Sequence, residues 1–403
     1  MNNRREFLVK TAGGLAAAAV LPELGFVKLP DPRAGLRVGV IGAGRQGRSI
    51  LGELTKIEGA EVTAVCDVDD RRMEAGLRRS AGAEGFADVA AMLASGKVDA
   101  VAIAVPTHAH PEVARQCIEA GVHVFLDGPL ANTVEGCNEI VTAARSAKGV
   151  VASGLQGRSN PVYKLARTFY RSDSVRDLVA LRAQQNQKTS WRTPASDPAR
   201  DKALNWRLDP EVTTGLAGEW GTQQFDVFNW YTERYPVKVS GSGSIRLHKD
   251  GRTVHDTIAC TLTYEDGAVL QYQATLANSY EGAYEVLYGT NAAIKLGWSH
   301  GWMFKESDAP TQGWEVYANR QQFHNDEGIT LIADATKLAS QGKLKEGIGL
   351  PNPSLYYALG DFVACATTGE TPACVVEEAA RATAIGIAAH KAITTGTEQS
   401  IDL

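Results

Sequence analysis

Three glycines near the start of the chain have the spacing of a loop that could hold the phosphates of a dinucleotide. The loop comprises Gly42, Ala43, Gly44, Arg45, Gln46 and Gly47, in the pattern G-x-G-x-x-G. In such a loop the first glycine permits a tight turn, the second lets the backbone approach a pyrophosphate, and the third lets a helix lie close to a strand. Because the apolar run 37–41 precedes the loop and a helical pattern follows it, we predict a bound dinucleotide rather than a glycine-rich turn of another α/β domain.

An acidic residue follows the loop at the distance that favours one particular dinucleotide. Asp67 closes a second apolar run, 62–66, twenty positions after the last glycine. Its carboxylate can accept hydrogen bonds from both ribose hydroxyls and would repel a 2′-phosphate. The sequence therefore predicts NAD as the cofactor. Arg71 and Arg72 lie close enough to keep NADP as the less favoured alternative.

The elements around these residues alternate in a way that defines the fold class. Up to about residue 155, short apolar runs alternate with helical patterns, which predicts a parallel sheet with helices on both faces. From about residue 160, successive strand-like runs predict a mostly antiparallel open-faced sheet, and these runs lie at 175–187, 237–247, 257–264, 268–276, 284–288 and 292–296. Helices are predicted at 326–340, 354–368 and 377–395, with the last two packing near the first domain. The predicted class is an α/β Rossmann-type domain followed by an α+β domain.

Ligands of a parallel sheet bind beyond the carboxyl ends of its strands. The loops that follow the predicted strands therefore supply further candidate residues for cofactor binding. Besides the glycine loop and Asp67, these are Pro106, His110, Asp127 and Gln156.

Residues 1–34 read as a targeting segment and linker rather than as part of the fold. Arg4 and Arg5 are followed, after one glutamate, by Phe7 and Leu8, and a weakly apolar, small-residue run covers 11–21. This order predicts export to the periplasm by the twin-arginine machinery, with a frayed amphipathic terminus as the alternative. Because that route carries folded proteins and no free NAD pool exists outside, we expect a tightly bound cofactor that is loaded before export.

The composition excludes several other classes of function. The net charge is −5 and the isoelectric point is about 6.0, which argue against nucleic acid or an anionic membrane as a partner. The six cysteines show no C-x-x-C spacing and the eight histidines are scattered, so no metal site is predicted. We expect the cysteines to be buried thiols.

The chain resembles the glucose–fructose oxidoreductase, inositol dehydrogenase and rhizopine-catabolism (Gfo/Idh/MocA) family from Leu36 to its end. The matching pieces are 42–47, Asp67, 106–110, 120–124, 129–131 and 215–226. The resemblance implies a nucleotide-binding domain at 35–155 and a substrate and oligomerisation domain at 156–403. It also implies a carbohydrate substrate at the cleft, hydride transfer between nicotinamide and a sugar, polyol or glycoside, and a homo-oligomer (dimer or tetramer) formed through the second sheet.

Two positions depart from the pattern of that family. Its members usually carry Glu-Lys-Pro where this chain has Asp127, Gly128 and Pro129, and a histidine where this chain has Gln223. Neither glycine nor an amide titrates, whereas alcohol oxidation needs a group that takes the hydroxyl proton. General acid–base catalysis contributes roughly 10²- to 10⁴-fold in rate, so another group must have taken over if the reaction is kept.

Several nearby side chains are candidates for that proton transfer and for binding the substrate. Glu219 is the first choice as the base because it lies on the predicted helix that carries Gln223 and Asp226, which would orient the substrate. The other candidate bases are Asp127, Asp226, Lys188, Tyr163 and His110. The expected substrate contacts are Arg158, Tyr163, Trp206, Arg207 and Gln223. For Trp206 and Arg207, packing between the domains is an equally good interpretation.

Three functions follow as hypotheses. The first is an exported oxidoreductase that contains NAD and acts on a sugar, polyol or glycoside. The second is an NAD-assisted glycosidase or lyase, in which transient oxidation of one carbon acidifies its neighbour. The third is a sugar- or NAD-binding homologue without catalysis, because both usual acid–base positions are altered.

Overall fold

The computed structural model describes residues 35–324 and 326–402. The predicted export signal at 1–34 lies outside these residues. None of the helices within the described part of the chain combines the length and the apolar character that crossing a membrane requires.

The first domain is built on a parallel sheet of six strands. These are β1 (Leu36–Ile41), β2 (Ala60–Cys66), β3 (Glu84–Phe86), β4 (Ala100–Ile103), β5 (His123–Leu126) and β6 (Val151–Ser153). Their order across the sheet is β3-β2-β1-β4-β5-β6, and every neighbouring pair is parallel. The order reverses between β1 and β4, so the crevice at the carboxyl ends of these two strands is the expected ligand site.

Five helices connect these strands and cover the sheet. They are α1 (Arg45–Leu54), α2 (Asp70–Leu77), α3 (Val89–Ala94), α4 (His110–Glu119) and α5 (Val134–Arg145). β1 and β4 are buried on both faces, which explains their nearly continuous apolar runs. On the buried face of α1, Ile50, Leu51 and Leu54 recur at helical spacing and are fully covered.

The second domain contains a larger sheet of ten strands. They are β7 (Leu178–Asn186), β8 (Lys238–Ser244), β9 (Thr257–Thr263), β10 (Val269–Thr275), β11 (Ala283–Gly289), β12 (Ala292–Leu296), β13 (Gly301–Lys305), β14 (Arg320–Phe323), β15 (Asp326–Thr330) and β16 (Gln399–Ser400). Their order is β14-β15-β13-β12-β11-β7-β10-β9-β8-β16. All neighbouring pairs are antiparallel except β7 with β10. Gly267, with φ +88°, closes the β9–β10 hairpin.

The remaining helices hold the two sheets together. They are α6 (Pro161–Arg171), α7 (Pro198–Leu204), α8 (Thr222–Thr232), α9 (Ala335–Ser340), α10 (Ser354–Thr368) and α11 (Val376–Thr395). A π-helical turn at Ala217–Gly221 leads into α8. α10 packs on α1, whereas α11 packs on both α5 and α8. The chain therefore returns to the first domain with α10 and α11 before its last strand, β16, joins the second sheet.

The predicted fold class is confirmed, while several predicted elements are wrong or missing. The predicted helix at 326–340 is the strand β15 followed only later by the short α9. β3, β13 and β14 were not predicted, because each is only three to five residues long and carries a weak alternating pattern. All six cysteines are buried and free, as expected.

Candidate cofactor and substrate cleft

The glycine loop at 42–47 (the fingerprint loop) joins β1 to α1 at the switch point of the first sheet. Gly42 has φ +90°, and a Cβ there would lie 2.6 Å from the Ala104 carbonyl oxygen. A Cβ on Gly47 would lie 1.7 Å from the Gly42 oxygen. The fold itself therefore requires these two glycines. A Cβ on Gly44 would meet no atom closer than 3.7 Å, so the space at Gly44 is available to a ligand.

The amino end of α1 faces the same crevice and is open to an anion. α1 has no side-chain cap and no acidic residue in its first turn. By contrast, α2, α3 and α5 are capped by the side chains of Asp69, Asp88 and Thr133. The free N–H groups and the helix dipole of α1 suit a pyrophosphate.

Asp67 stands at the carboxyl end of β2 with a fixed carboxylate. Its Oδ2 accepts a hydrogen bond from the Ala43 N–H at 2.7 Å, and its Oδ1 accepts from the Asp69 N–H at 2.8 Å. Each oxygen keeps a second lone pair for a ribose hydroxyl. The carboxylate lines the crevice together with Arg72, the only one of the two neighbouring arginines that does so.

The crevice has two connected parts. The larger part is a cavity of about 820 Å³ between the β1, β2 and β4 ends and α7. The smaller part is a cavity of about 330 Å³ against the second domain. We name them the adenosine half and the sugar half after the groups that the sequence predicts there. Both are lined by Gly44, Arg72, Ala104, Val105, Pro106 and Leu204. A ligand extended along the fingerprint loop would therefore reach the second domain at its far end.

Among the described residues, Asp127 is the one that brings a carboxyl group to the lining of the sugar half. It follows β5, lines the cavity, and its Oδ1 accepts a hydrogen bond from the Gln46 amide at 3.1 Å. Burial raises the pKa of Asp127 to about 7, and the Gln46 bond opposes that rise only in part. A carboxyl group with this pKa can both give and take a proton near neutrality.

Glu219, the first choice as the base, has hydrogen-bond partners on both of its carboxylate oxygens. Its Oε1 accepts from the hydroxyls of Thr107 and Thr214, both at 3.1 Å, and its Oε2 accepts from Arg207 Nε at 2.9 Å. The Glu219 side chain is only 2% exposed. These three donors, one of them the Arg207 guanidinium, fix the Glu219 carboxylate, which in turn holds the orientation of Arg207.

Gly128 and Gln223, the two positions that depart from the family pattern, lie next to each other. The Gln223 amide donates to the Gly154 carbonyl at 2.9 Å, and its oxygen accepts from the Gln156 N–H at 3.0 Å. A Cβ on Gly128 would lie 2.6 Å from Leu155 Cδ2 and 3.6 Å from Gln223 Nε2. The space for a lysine at 128 is therefore filled. Gln223 and Gln156 hold the loop after β6 rather than facing the cavity.

Three further predicted site residues make buried contacts with other protein groups. Asp226 is fully buried, and both its oxygens accept hydrogen bonds from Arg158, at 2.7–3.1 Å. Arg158 also reaches Glu378 on α11 at 3.2 Å. Tyr163 is fully buried and donates its hydroxyl to Glu285 at 2.5 Å. The sequence pattern could not show that these polar groups pair with one another instead of with a substrate.

His110 braces two loops of the cleft. Its Nδ1 lies 3.0 Å from the Pro129 oxygen, and its Nε2 lies 3.0 Å from the Val105 oxygen. Burial lowers the pKa of His110 to about 4, so the ring is neutral at pH 7. A neutral ring carries a single N–H, so His110 donates to only one of these carbonyl oxygens at a time while its ring holds the shape of the sugar half.

Aromatic side chains form the wall opposite the fingerprint loop. The Arg207 guanidinium stacks on the Trp206 ring at 4.3 Å, and Trp191 meets Trp220 edge-on at 5.5 Å. Together with these rings, the polar wall residues that sequence reasoning missed are Gln187, Thr189 and Thr193. They follow β7, so the end of that long strand was the available signal. Indole faces beside hydroxyl and amide groups suit a carbohydrate ring.

Two family models match the chain over the two domains described above. An oxidoreductase family model with an NAD-binding Rossmann fold matches residues 36–155. The GFO/IDH/MocA C-terminal domain model matches residues 175–295. The chain belongs to the Gfo/Idh/MocA oxidoreductase family.

Individual relatives agree with this assignment. An inositol 2-dehydrogenase of Saccharopolyspora erythraea is 35% identical over 197 residues, which cover 45% of this chain and 56% of the relative. The match thus spans little more than half of that relative. An oxidoreductase domain protein from Kribbella flavida aligns with TM-score 0.73 at 19% identity, covering 92% of this chain and all of that one. A levoglucosan dehydrogenase in complex with NADH and levoglucosan aligns with TM-score 0.72 at 18% identity, covering 92% and 100%. At such identities the two structures support the fold alone.

Proposed function

We propose that this protein is an NAD-dependent oxidoreductase that transfers a hydride between nicotinamide and a carbon of a sugar, polyol or glycoside. The observation that carries the proposal is the continuous crevice, in which the open amino end of α1 leads to a cavity with Asp127 and an indole wall. Inositol and levoglucosan, the compounds named for relatives, are polyhydroxylated rings of the size class that such a wall suits.

NAD fits the residues of the groove better than NADP does. Gly44 leaves room for the pyrophosphate, α1 offers its free N–H groups, and Asp67 holds a negative charge where a 2′-phosphate would lie. When bound, the nicotinamide ring supplies the hydride acceptor or donor. Every other task falls to the side chains of the chain itself.

Asp127 is the proposed catalytic acid–base group. Its carboxylate takes the hydroxyl proton during oxidation and returns it during reduction, as a pKa of about 7 allows. Arg207, oriented by Glu219 and stacked on Trp206, points a charged hydrogen-bond donor group at the same cavity and positions the substrate oxygens. Gln223 and Asp226 act through the framework that holds these groups.

A panel of inositols, aldoses and anhydrosugars, tested for NADH absorbance at 340 nm, examines the proposal. We expect net NADH formation with at least one neutral polyol or sugar. Cleavage of aryl glycosides that requires NAD but accumulates no NADH would replace this proposal with the NAD-assisted glycosidase or lyase. If neither signal occurs while a sugar raises the melting temperature, the chain is a binding protein without catalysis.

We also propose that residues 1–34 direct export by the twin-arginine machinery, so that the protein works in the periplasm with a tightly bound cofactor. The support is the order of Arg4, Arg5 and the small apolar run in the sequence. The double variant Arg4→Lys and Arg5→Lys should remain in the cytoplasmic fraction of a host that has this route. Periplasmic recovery of that variant would contradict the proposal.

The open face of the second sheet is the proposed contact between subunits. One face of this sheet packs on the core, and the other presents small polar side chains from neighbouring strands. Those residues include Arg182, Ser240, Ser242, Thr261, Gln271 and Gln273. Light scattering coupled to size exclusion should give a dimer or tetramer, and Thr261→Asp should shift it towards monomer. A monomeric wild-type protein would exclude this contact.

A further inference from the structure

The helix α7 of the second domain forms part of the wall of the adenosine half. Arg200, Ala203 and Leu204 line that cavity, although they lie more than 130 residues after Asp67 in the chain. Leu204 lines the sugar half as well. Nothing in the sequence pattern assigns α7 to the cofactor, because it lies outside the nucleotide-binding domain. Its position means that a bound dinucleotide would lie between the first sheet and α7.

An ion pair joins α7 to the loop that carries the ribose-binding acid. Arg200 Nε donates to Asp69 Oδ2 at 2.6 Å, and the two side chains are 32% and 14% exposed. The pairing with Arg200 lowers the pKa of Asp69. Asp69 also caps α2 through the Arg72 N–H, and its own N–H donates to Asp67. The pair therefore ties the second domain directly to the loop that positions Asp67.

Hydrogen bonds at both ends of α7 hold residues 193–205 together as one unit. The Asp197 side chain caps α7 by accepting from the Arg200 N–H at 2.7 Å. Asn205 closes the other end: its Oδ1 accepts from the Thr193 N–H at 2.6 Å and its amide donates to the Thr193 carbonyl at 3.0 Å. Trp206 and Arg207 follow immediately, so this unit and the wall of the sugar half are continuous in the chain.

We propose that residues 193–205 are a latch over the adenosine half of the cofactor, held shut by the Arg200–Asp69 ion pair. The inference rests on the proposed function, because it needs a dinucleotide in the groove. The dinucleotide can enter or leave only when the pair opens and the braced unit lifts. The latch therefore slows both association and dissociation of NAD(H), and it supplies the slow exchange that an exported enzyme without a cofactor pool requires.

The test compares Arg200→Gln with Lys202→Gln in the full chain. Lys202 lies on the same helix, is 76% exposed and is outside the cavity, so the control removes an equal charge without touching the Arg200–Asp69 ion pair. Stopped-flow NADH fluorescence gives both rate constants. For Arg200→Gln we expect association and dissociation each to rise roughly three- to tenfold, the range of a partly shielded charge-assisted bond, with the dissociation constant within about twofold. Lys202→Gln should match the wild type.

Ionic strength provides a second readout. Because salt screens a partly exposed pair, the wild-type dissociation rate should rise with salt more steeply than that of Arg200→Gln. Unchanged rates in Arg200→Gln would overturn the latch while leaving the proposed function intact. Faster dissociation without faster association would also overturn it, since that result makes Arg200 a direct ligand of the cofactor. A wild-type chain that binds no NADH would remove the proposed function, and the latch with it.

Discussion

The two halves of the cleft differ in whether they have the residues that are typical of the family. In the adenosine half, every motif position keeps its expected residue, and packing explains Gly42 and Gly47 while leaving Gly44 to the ligand. In the sugar half, the two usual acid–base positions hold Gly128 and Gln223, and both have become part of the framework. Under the proposed function, the residues of the cofactor site are kept, while the proton transfer falls to a group outside the two usual positions.

Asp127, which lines the sugar half, and Glu219, which bonds to Arg207 of its wall, are the two carboxyl groups to compare. Glu219 has three hydrogen-bond donors, one of them the Arg207 guanidinium, whereas Asp127 accepts from the Gln46 amide and has a pKa of about 7. A carboxyl group acts as a base near neutrality only if its ionised form is not overstabilised. Variants of these groups test whether the cofactor half and the sugar half differ in this way.

Replacing Asp127 by asparagine should have the largest effect. We expect the oxidation rate to fall roughly 10²- to 10⁴-fold, the usual contribution of a general base, with NADH affinity unchanged within a few-fold. The wild-type kcat/KM for oxidation should rise with pH through about 7, because the base acts only when ionised. Lys188→Gln, which alters an exposed candidate base, should behave as wild type. A wild-type rate in Asp127→Asn would place the base elsewhere.

Replacing Arg158 by methionine should destabilise the fold more than it alters substrate recognition. The variant leaves Asp226 buried and unpaired, which costs about 3–5 kcal/mol of unfolding free energy. Denaturant unfolding measures this loss, and KM for the substrate measured on the folded fraction should change little. A stable variant with a greatly raised KM would return Arg158 to the substrate site.

A comparison with Glu285 shows whether a raised pKa is enough to mark a reactive group. Burial also raises the pKa of Glu285 to about 7, but this residue lies on β11 of the second sheet and is fully buried. The folded chain keeps a proton there that the unfolded chain loses above about pH 4.5, so stability is full below that pH and falls as the pH rises to about 7. Glu285→Gln should flatten this fall, by about 3 kcal/mol at most, and leave the pH profile of oxidation unchanged. A shifted rate profile would contradict the separation of the two carboxyl groups.

Restoring lysine at Gly128 should harm the protein unless Leu155 is reduced as well. The new side chain collides with Leu155, and such overpacking costs about 1–3 kcal/mol. In a double-mutant cycle, Leu155→Ala combined with Gly128→Lys should be less destabilised than the sum of the single variants. Gly52→Ala, where a Cβ meets nothing within 4 Å, is the control for a harmless glycine replacement. Strict additivity would show that Leu155 does not fill the lysine site.

The fold and the cofactor half could be predicted because their signals are local. The glycine spacing, the alternation of strands and helices, and Asp67 after β2 each depend on a few consecutive residues. The short strands β13 and β14 were missed because they are only five and four residues long and carry a weak alternating pattern, although each pairs with a neighbouring strand in the chain.

The sugar half was harder because its contacts join residues far apart in the chain. Arg158 and Asp226 are 68 positions apart, and Tyr163 and Glu285 are 122 apart. Sequence reasoning named Arg158, Tyr163 and Asp226 as polar residues close to the cleft, yet it could not tell a buried pair from a substrate ligand. Asp127 follows a parallel strand, where a ligand is expected, and it lines the cavity.

The most direct test of the cofactor groove is an NADH titration of the wild type and Gly44→Ala after removal of any bound cofactor, with melting temperatures recorded for both. We predict that the wild type binds one NADH per chain, whereas Gly44→Ala keeps the same melting temperature and binds at least about tenfold more weakly, a loss of about 1.4 kcal/mol. A wild type without saturable binding, or a Gly44→Ala variant that binds equally well, would contradict the account.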